Sequence, residues 1–204
     1  LLNGMRPTKL VHGMKKRGYS DQEIKEYMQA EYLVSDEKIN LLLDVANHQL
    51  KVIPDLHTIQ NEISLYIGIP FCPTRCAYCT FPAYAQEPFK KWIEPFLEAL
   101  LEEIKLVGAF IKERQLKITS IYFGGGTATS LTKEQFEKLL ITVYEHVANA
   151  SEVREITVEA GRPDTITPEK LSLLKEYDIH RISINPQSFN QATLDSIGRH
   201  HTVE

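Results

Sequence analysis

The chain lacks any uninterrupted apolar run near the roughly 18–20 residues that a membrane-spanning helix needs, so no membrane partner is expected. It also lacks an excess of positive charge. Lys and Arg number 23 against 27 Asp and Glu, a net charge of −4, and no overall basic field favours nucleic acid as a partner. Neither glycine-rich phosphate pattern, G-x-x-x-x-G-K-[ST] or G-x-G-x-x-G, is present. Leu1 opens a polar stretch with Arg6, Lys9, Lys15 and Lys16, so no signal peptide is expected. Cysteine is scarce as well: three in 204 residues, an odd number gathered between positions 72 and 79. That pattern argues against a disulfide framework and for a reducing compartment, and a cytoplasmic protein is expected. The apolar (43%) and charged (25%) fractions are those of an ordinary soluble globular protein. With no initial Met and no terminating signal at Thr202-Val203-Glu204, a fragment of a longer chain is expected.

The scarce cysteines are the most informative feature. Cys72, Cys76 and Cys79 lie in the run IPFCPTRCAYCTF, a spacing that lets a loop turn three thiolates toward one point. A thioredoxin-like pair, Cys76 and Cys79, would leave Cys72 unexplained and wants a helix start, not a loop bordered by Pro70, Pro73 and Pro82. A closed zinc site wants four protein ligands, and the nearest histidine, His57, lies before the preceding strand. A simple electron-transfer cubane is usually held by four cysteines. Three cysteines around a four-iron cluster leave one iron open to bind something else, and that is the reading these residues favour.

Along the chain, residues 1–60 read as an accessory helical region, with Val11, Met14, Ile24, Tyr27, Met28 and Tyr32 at helical spacing. Ser20 and Glu23 form an S-x-x-E capping box. A third helix is expected from Ser35 through Leu41, Leu42, Val45 and Ala46, ended by Pro54. Three short helices with basic Lys15, Lys16 and Arg17 could also be a DNA reader using residues 10–50, but no Lys/Arg-rich recognition face supports it. From residue 61 strands and helices alternate. Strand 63–69 precedes the cysteine loop. A helix over 89–113 is expected to line one face with Trp92, Phe96, Leu100, Ile104 and Val107. Strand 118–123 leads to a Gly124–Gly126 loop and a helix opened by Thr132 and Gln135. Strand 155–159 leads to a helix with Thr167 as N-cap and Pro168 at its first position. Strand 181–185 feeds a helix from Asn190 to Ile197, stopped by Gly198.

Four β-then-α units without hairpin turns predict a parallel sheet with outer helices, either a barrel or a doubly wound sheet. Four strands would leave such a sheet open, a further reason to expect more sequence after Glu204. In both architectures ligands gather at the carboxyl ends of the strands. The cysteines, the glycines, Glu159 and Gln187 all fall there. Taken singly these residues stay ambiguous. Three glycines are a tight turn or a place of close backbone approach; Glu159 is a polar strand end or an acceptor for ligand hydroxyls. Arg199 near a helix end usually complements the dipole, and His200 and His201 read as surface residues.

The C-x-x-x-C-x-x-C motif after a strand, with Tyr78 before its last cysteine, resembles the radical S-adenosylmethionine enzymes. More narrowly, LYIGIPFCPTRCAYCTF, IYFGGGTATSL, TVEAGRP and RISINPQSFNQATLDSIGRHHT are similar, in order and spacing, to the oxygen-independent coproporphyrinogen III oxidase (coproporphyrinogen dehydrogenase) family over residues 63–204. The resemblance implies an α/β fold: the first four β/α units of a partial (β/α) radical S-adenosylmethionine barrel at 61–204, behind the helical region at 1–60. It implies a [4Fe-4S] cluster on Cys72, Cys76 and Cys79, with S-adenosylmethionine on the open iron. Gly125, Gly126 and Thr127 would hold its methionyl amino group and neighbouring atoms. Glu159, Gln187 and Arg199 would complete its pocket, and Tyr66 would contact substrate or a ligand near the cluster. The implied substrate is a porphyrinogen whose propionates become vinyls in heme biosynthesis, and the implied electron donor is a low-potential flavodoxin or ferredoxin. Two positions depart from the family. Phe81 stands where the oxidase motif has a fourth cysteine, as in heme-binding chaperones, the alternative the resemblance carries. Ala128 stands where the family has proline, and its freer φ is expected to loosen the loop.

Overall fold

Helix boundaries follow the capping chemistry written in the sequence. In the computed structural model, which describes residues 6–147 and 153–204, Ser20 Oγ accepts from the Glu23 backbone N–H at 3.3 Å. The Glu23 carboxylate accepts from Ser20 N–H at 2.7 Å. This box opens α2 (Asp21–Tyr32), between α1 (Pro7–Lys16) and α3 (Asp36–Val52). Ser35 is the N-cap of α3 by its extended backbone, although its side chain makes no capping bond. The helix stops at Val52, because a residue before proline, here Ile53, is pushed out of the α region.

These helices form the compact unit Leu1–Gln60, whose core is Val11, Met14, Ile24, Met28, Ile39, Leu42, Leu43 and Ala46. Tyr27, Leu41 and Val45, expected on the apolar stripes, are exposed. On α3 the buried set Ile39, Leu42, Leu43 and Ala46 follows i, i+3, i+4, i+7, which rotates Leu41 and Val45 off the packed face.

The second unit, Asn61–Glu204, is built on a four-stranded sheet in the order β1 (Glu62–Ile69), β4 (Lys117–Gly125), β5 (Glu155–Ala160) and β6 (Arg181–Ile184). All neighbouring pairs are parallel. A second, short parallel pair joins β2 (Phe71–Cys72) to β3 (Tyr84–Ala85). Dipeptide strands carry no readable period, so this pairing is not legible in the sequence, and the cysteine loop is a closed excursion between two paired segments.

Register separates the two faces of the main sheet. Ile67, Phe123, Val158 and Ile182 share one row on the face covered by α4 (Gln86–Glu113), α5 (Lys133–His146) and α6 (Pro168–Glu176). Tyr66, Tyr122, Thr157 and Arg181 share a row on the opposite face. Strand residues point alternately to the two faces, so the apolar set fixes which residues are left for the other side.

The long helix departs from expectation by one position. Trp92 is 56% exposed, and the buried stripe of α4 is Ile93, Leu97, Leu101, Ile104 and Ile111. Phe96, Leu100 and Val107 pack only partly against it. Two apolar stripes one residue apart satisfy the same spacing, and the sheet takes the aliphatic one. β4 also runs further than expected: Gly124 and Gly125 pair with Gly68 and Ile69 and belong to the strand. After α7 (Gln191–Ser196), capped by Asn190, the chain turns back. Gln191 Nε2 donates to the His201 carbonyl at 3.3 Å, which draws His201 in until it is 9% exposed. His201 is therefore a buried residue, while His200 remains exposed. Among the described residues no helix is long and apolar enough to cross a membrane.

Thr132 and Gln135 form the capping box of α5. Thr132→Ala is expected to destabilise the protein by about 1 kcal/mol, read as a lower urea midpoint with an unchanged m-value. Thr132→Ser should restore most of it.

Candidate functional site

The carboxyl ends of the four parallel strands and the cysteine loop enclose a cavity of about 400 Å³. Its wall includes every site residue expected from sequence: Tyr66, Cys72, Cys76, Cys79, Gly125, Gly126, Thr127, Glu159, Gln187 and Arg199. Topology accounts for the convergence, since parallel strands bring their carboxyl ends to one edge of the sheet.

Cys72 ends β2 and is buried, whereas Cys76 and Cys79 are half-buried. All three are free thiols. The loop that carries them is tied at several points. Cys79 N–H donates to the Cys76 carbonyl at 3.1 Å, and Ala77 N–H to Ile197 O at 3.0 Å. Thr74 Oγ1 donates to Gly198 O at 2.9 Å. Among the described residues no group of three or more His, Cys, Asp or Glu side chains is gathered tightly enough for one metal ion. A single ion needs every sulfur within about 2.3 Å of one point, whereas a cluster gives each thiolate its own iron.

Burial pushes the Cys72 thiol above its ordinary range, and the Thr127 hydrogen bond and Arg162 charge act against that rise. The Cys72 Sγ to Thr127 Oγ1 distance is 3.2 Å, and Thr127 Oγ1 donates to Gly126 O at 2.7 Å. A hydroxyl has one proton, so with the thiol protonated Cys72 is the donor to Thr127. Loss of that proton leaves the sulfur as an acceptor the Thr127 hydroxyl can serve.

Two glycines permit the close approach on which this arrangement rests. Gly125 has φ +106°, and a Cβ there would lie 2.7 Å from Ile69 O. A Cβ on Gly126 would lie 2.8 Å from Phe71 O and 3.0 Å from Cys72 Sγ. Ala128, in place of proline, is fully buried at the start of the 3₁₀ turn Ala128–Ser130. That turn is held by Ser130 N–H on Thr127 O at 3.0 Å and by Ser130 Oγ on Phe71 O at 3.1 Å.

Across the cavity, Tyr66 and Tyr122 stack with ring centroids 5.7 Å apart and planes 9° from parallel. Glu159 lies on the same sheet face. Burial raises its carboxyl above the usual range, and a hydrogen bond from Tyr122 partly opposes the rise. Burial and the Glu159 charge raise the Tyr66 phenol in turn. Arg199 is not a solvated partner of the α7 dipole. It is 2% exposed, donating from Nη1 to Tyr78 OH at 3.1 Å and from Nη2 to Asn185 O at 2.8 Å and to Gly161 O. Its Nε is buried with no partner, an arrangement that costs free energy unless something accepts from it. Gln187 holds a left-handed φ of +66°, strained for a residue with a side chain, at the cavity rim. Phe81 also lines the cavity and is 65% exposed.

Sequence reasoning did not single out Arg162, Tyr122 or Asn185, which line the same cavity. The strand-end rule could have found Asn185 and Arg162, which follow β6 and β5. Tyr122 lies inside its strand and is identified only by register.

Gly126→Ala is expected to force Phe71 and Cys72 away from the end of β4. The urea midpoint should fall by the equivalent of about 1–3 kcal/mol, and the rate of Cys72 modification by a thiol reagent should change. Gly13→Ala, where an added Cβ meets nothing within 4 Å, is the control that leaves Cys72 labelling unchanged.

Comparison with known proteins bears on the family and the fold. The radical SAM superfamily model matches residues 66–204. Over 204 residues, all of this chain, the protein is 50% identical to the oxygen-independent coproporphyrinogen-III oxidase-like protein HemZ of Bacillus subtilis (strain 168), of which it covers 41%. It is 38% identical over 138 residues to the heme chaperone HemW of the same organism, covering 68% of this chain and 35% of that one. Its fold overlays on coproporphyrinogen III oxidase (HemN) from Escherichia coli, a radical SAM enzyme, with a TM-score of 0.60 and 25% identity, over 74% of this chain and 33% of that one. The chain thus spans about two fifths of the length of HemZ. Its parallel sheet and outer helices are a partial β/α barrel of the same kind, and the chain belongs to the radical SAM superfamily.

Proposed function

We propose that this chain is the cluster-binding part of a radical S-adenosylmethionine enzyme acting on a porphyrinogen in heme biosynthesis. The observation that carries the reading is the convergence of three free thiols, a glycine strand end, a half-buried carboxyl group and a buried arginine on one cavity. The donor set fits the groups the superfamily uses. Cys72, Cys76 and Cys79 would hold a [4Fe-4S] cluster as thiolates, leaving one iron for S-adenosylmethionine. Bound there, these groups would supply radical chemistry able to take a hydrogen atom from a propionate side chain, which would become vinyl on losing carbon dioxide and one electron to an external acceptor.

The protein's own residues bind and orient. The Gly125 and Gly126 backbone lets a ligand approach closely, and Thr127 lies beside them. The Glu159 carboxylate accepts from ligand hydroxyls in a charge-assisted bond. The unpartnered Arg199 Nε–H offers a buried donor, Gln187 closes the rim, and Tyr66, 60% exposed, contacts substrate or a ligand near the cluster. A low-potential flavodoxin or ferredoxin supplies the electron. The names of HemZ and HemN support a porphyrinogen substrate. One observation favours a second reading, a heme chaperone. Phe81 occupies the position of the oxidase motif's fourth cysteine, and HemW is among the relatives.

Anaerobic reconstitution of the full-length protein should give a brown species whose reduced electron paramagnetic resonance signal shifts when S-adenosylmethionine is added. Cys76→Ala should abolish that signal, and its persistence would show the ligand assignment to be wrong. Incubation with reductant, S-adenosylmethionine and coproporphyrinogen III should yield vinyl-bearing product; stable heme binding without product selects the chaperone. S-adenosylmethionine affinity should also depend on pH through Glu159. The ligand binds the ionised carboxyl, so affinity is full above the raised Glu159 pKa and falls about tenfold per pH unit below it. In Glu159→Gln that acid limb should vanish along with much of the affinity, as isothermal titration across pH would record.

A further inference from the structure

Arg162 lies two residues past the end of β5 and is 2% exposed, and a guanidinium buried to that degree needs compensation on every side. One edge is neutralised by Asp164. Nε reaches Oδ1 and Nη2 reaches Oδ2, each at 3.1 Å, a bidentate pair that fixes the plane of the guanidinium. The remaining nitrogen, Nη1, enters the cysteine loop. It donates to Thr74 O at 3.0 Å and Thr74 Oγ1 at 3.1 Å, and lies 3.9 Å from Cys76 Sγ. Asp164 occupies the opposite edge of the group from Cys76, so the sulfur meets the cationic end of the pair first. Asp164 keeps a 24% exposed side chain against 3% for Arg162, so water screens the anion more than the cation.

We propose that Arg162 and Asp164 act as a charge pair that sets the reduction potential of the iron–sulfur cluster held by Cys72, Cys76 and Cys79. This role presupposes the three-cysteine cluster proposed above. A one-electron reduction, by any external reductant, makes the cluster one unit more negative. A cation beside a ligating sulfur stabilises that state, and its own counter-ion moderates the effect. Arg162 is a positioning residue as well, because its bonds to Thr74 hold the first turn of the loop.

A purely structural role and an electrostatic one separate by sign. Arg162→Gln removes the cation and leaves the Asp164 anion, so the midpoint potential should fall. Asp164→Asn removes the anion and leaves the cation, so it should rise. Each shift should amount to at least a tenfold change in the one-electron equilibrium, about 59 mV. Arg162→Lys, which keeps the charge without the fork, should lie between Arg162→Gln and the parent. The measurement is an anaerobic redox titration of the reconstituted full-length protein, followed by electron paramagnetic resonance. Shifts of the same sign in Arg162→Gln and Asp164→Asn, or none, overturn the proposal. If Arg162→Gln fails to retain a cluster, the sign for Asp164→Asn decides, with a rise in support and no change or a fall against. A parent protein that takes up no cluster overturns the cluster reading together with this one, whereas a loaded parent with unshifted variants overturns this one alone.

Discussion

The approach of the Gly125–Gly126 backbone to Ile69, Phe71 and Cys72 is the constraint on which the cavity depends. A Cβ on Gly125 would overlap the Ile69 backbone of β1, and one on Gly126 the Phe71 backbone of β2, while Gly126 N–H donates to Ile69 O at 2.8 Å. Because the strand end lies this close, Thr127 falls within reach of the Cys72 sulfur and Ser130 within reach of the Phe71 carbonyl. The contact couples the cysteine loop to the sheet through main chain, the least adjustable part of the structure. What β4 does at its carboxyl end therefore decides where the first thiol stands.

The rest of the loop is held from the other side. Ile197 and Gly198, past the end of α7, accept from Ala77 and Thr74, and Arg162 donates to Thr74 from the end of β5. Arg199 adds a link from the same C-terminal segment to Tyr78 and to the ends of β5 and β6. Two arginines, both 2% exposed, thus bracket a loop of modest apolar content. Burying them is costly, and Arg162 recovers that cost through Asp164 and Thr74. Arg199 recovers it only in part, because its Nε stays unpartnered. An imbalance of that kind in a cavity lined by thiols and a carboxyl group is a feature of a binding site rather than of a packed core.

Electrostatically the cavity is divided. The sheet side carries Glu159 with Tyr66 and Tyr122, and burial raises all three groups above their ordinary ranges. The loop side carries the thiols with Arg162 and Arg199. A zwitterionic ligand bearing hydroxyls finds acceptors on one wall and donors on the other, and the charge pattern suits such a ligand better than a uniformly charged one.

By itself the sequence determined the class of fold and which residues would meet at its centre. Alternating elements without hairpin turns meant parallel strands, and parallel strands meant that Cys72, Gly126, Glu159 and Gln187, each just past or at a strand end, would share one edge. The spacing of three lone cysteines was legible because so few other thiols could confuse it. Tertiary structure alone decided what depends on contact between distant segments. It chose Ile93 over Trp92 for the packed stripe of α4, because both satisfy the helical period and only the opposing surface tells them apart. It paired Phe71–Cys72 with Tyr84–Ala85, strands too short to show a period. It buried Arg162 and Arg199, whose polarity reads as surface until partners from loops far away in sequence surround them, and it buried His201, whose backbone carbonyl accepts from Gln191. Local periodicity is carried by neighbouring residues, but the compensation of a buried charge is carried by whatever the fold places beside it.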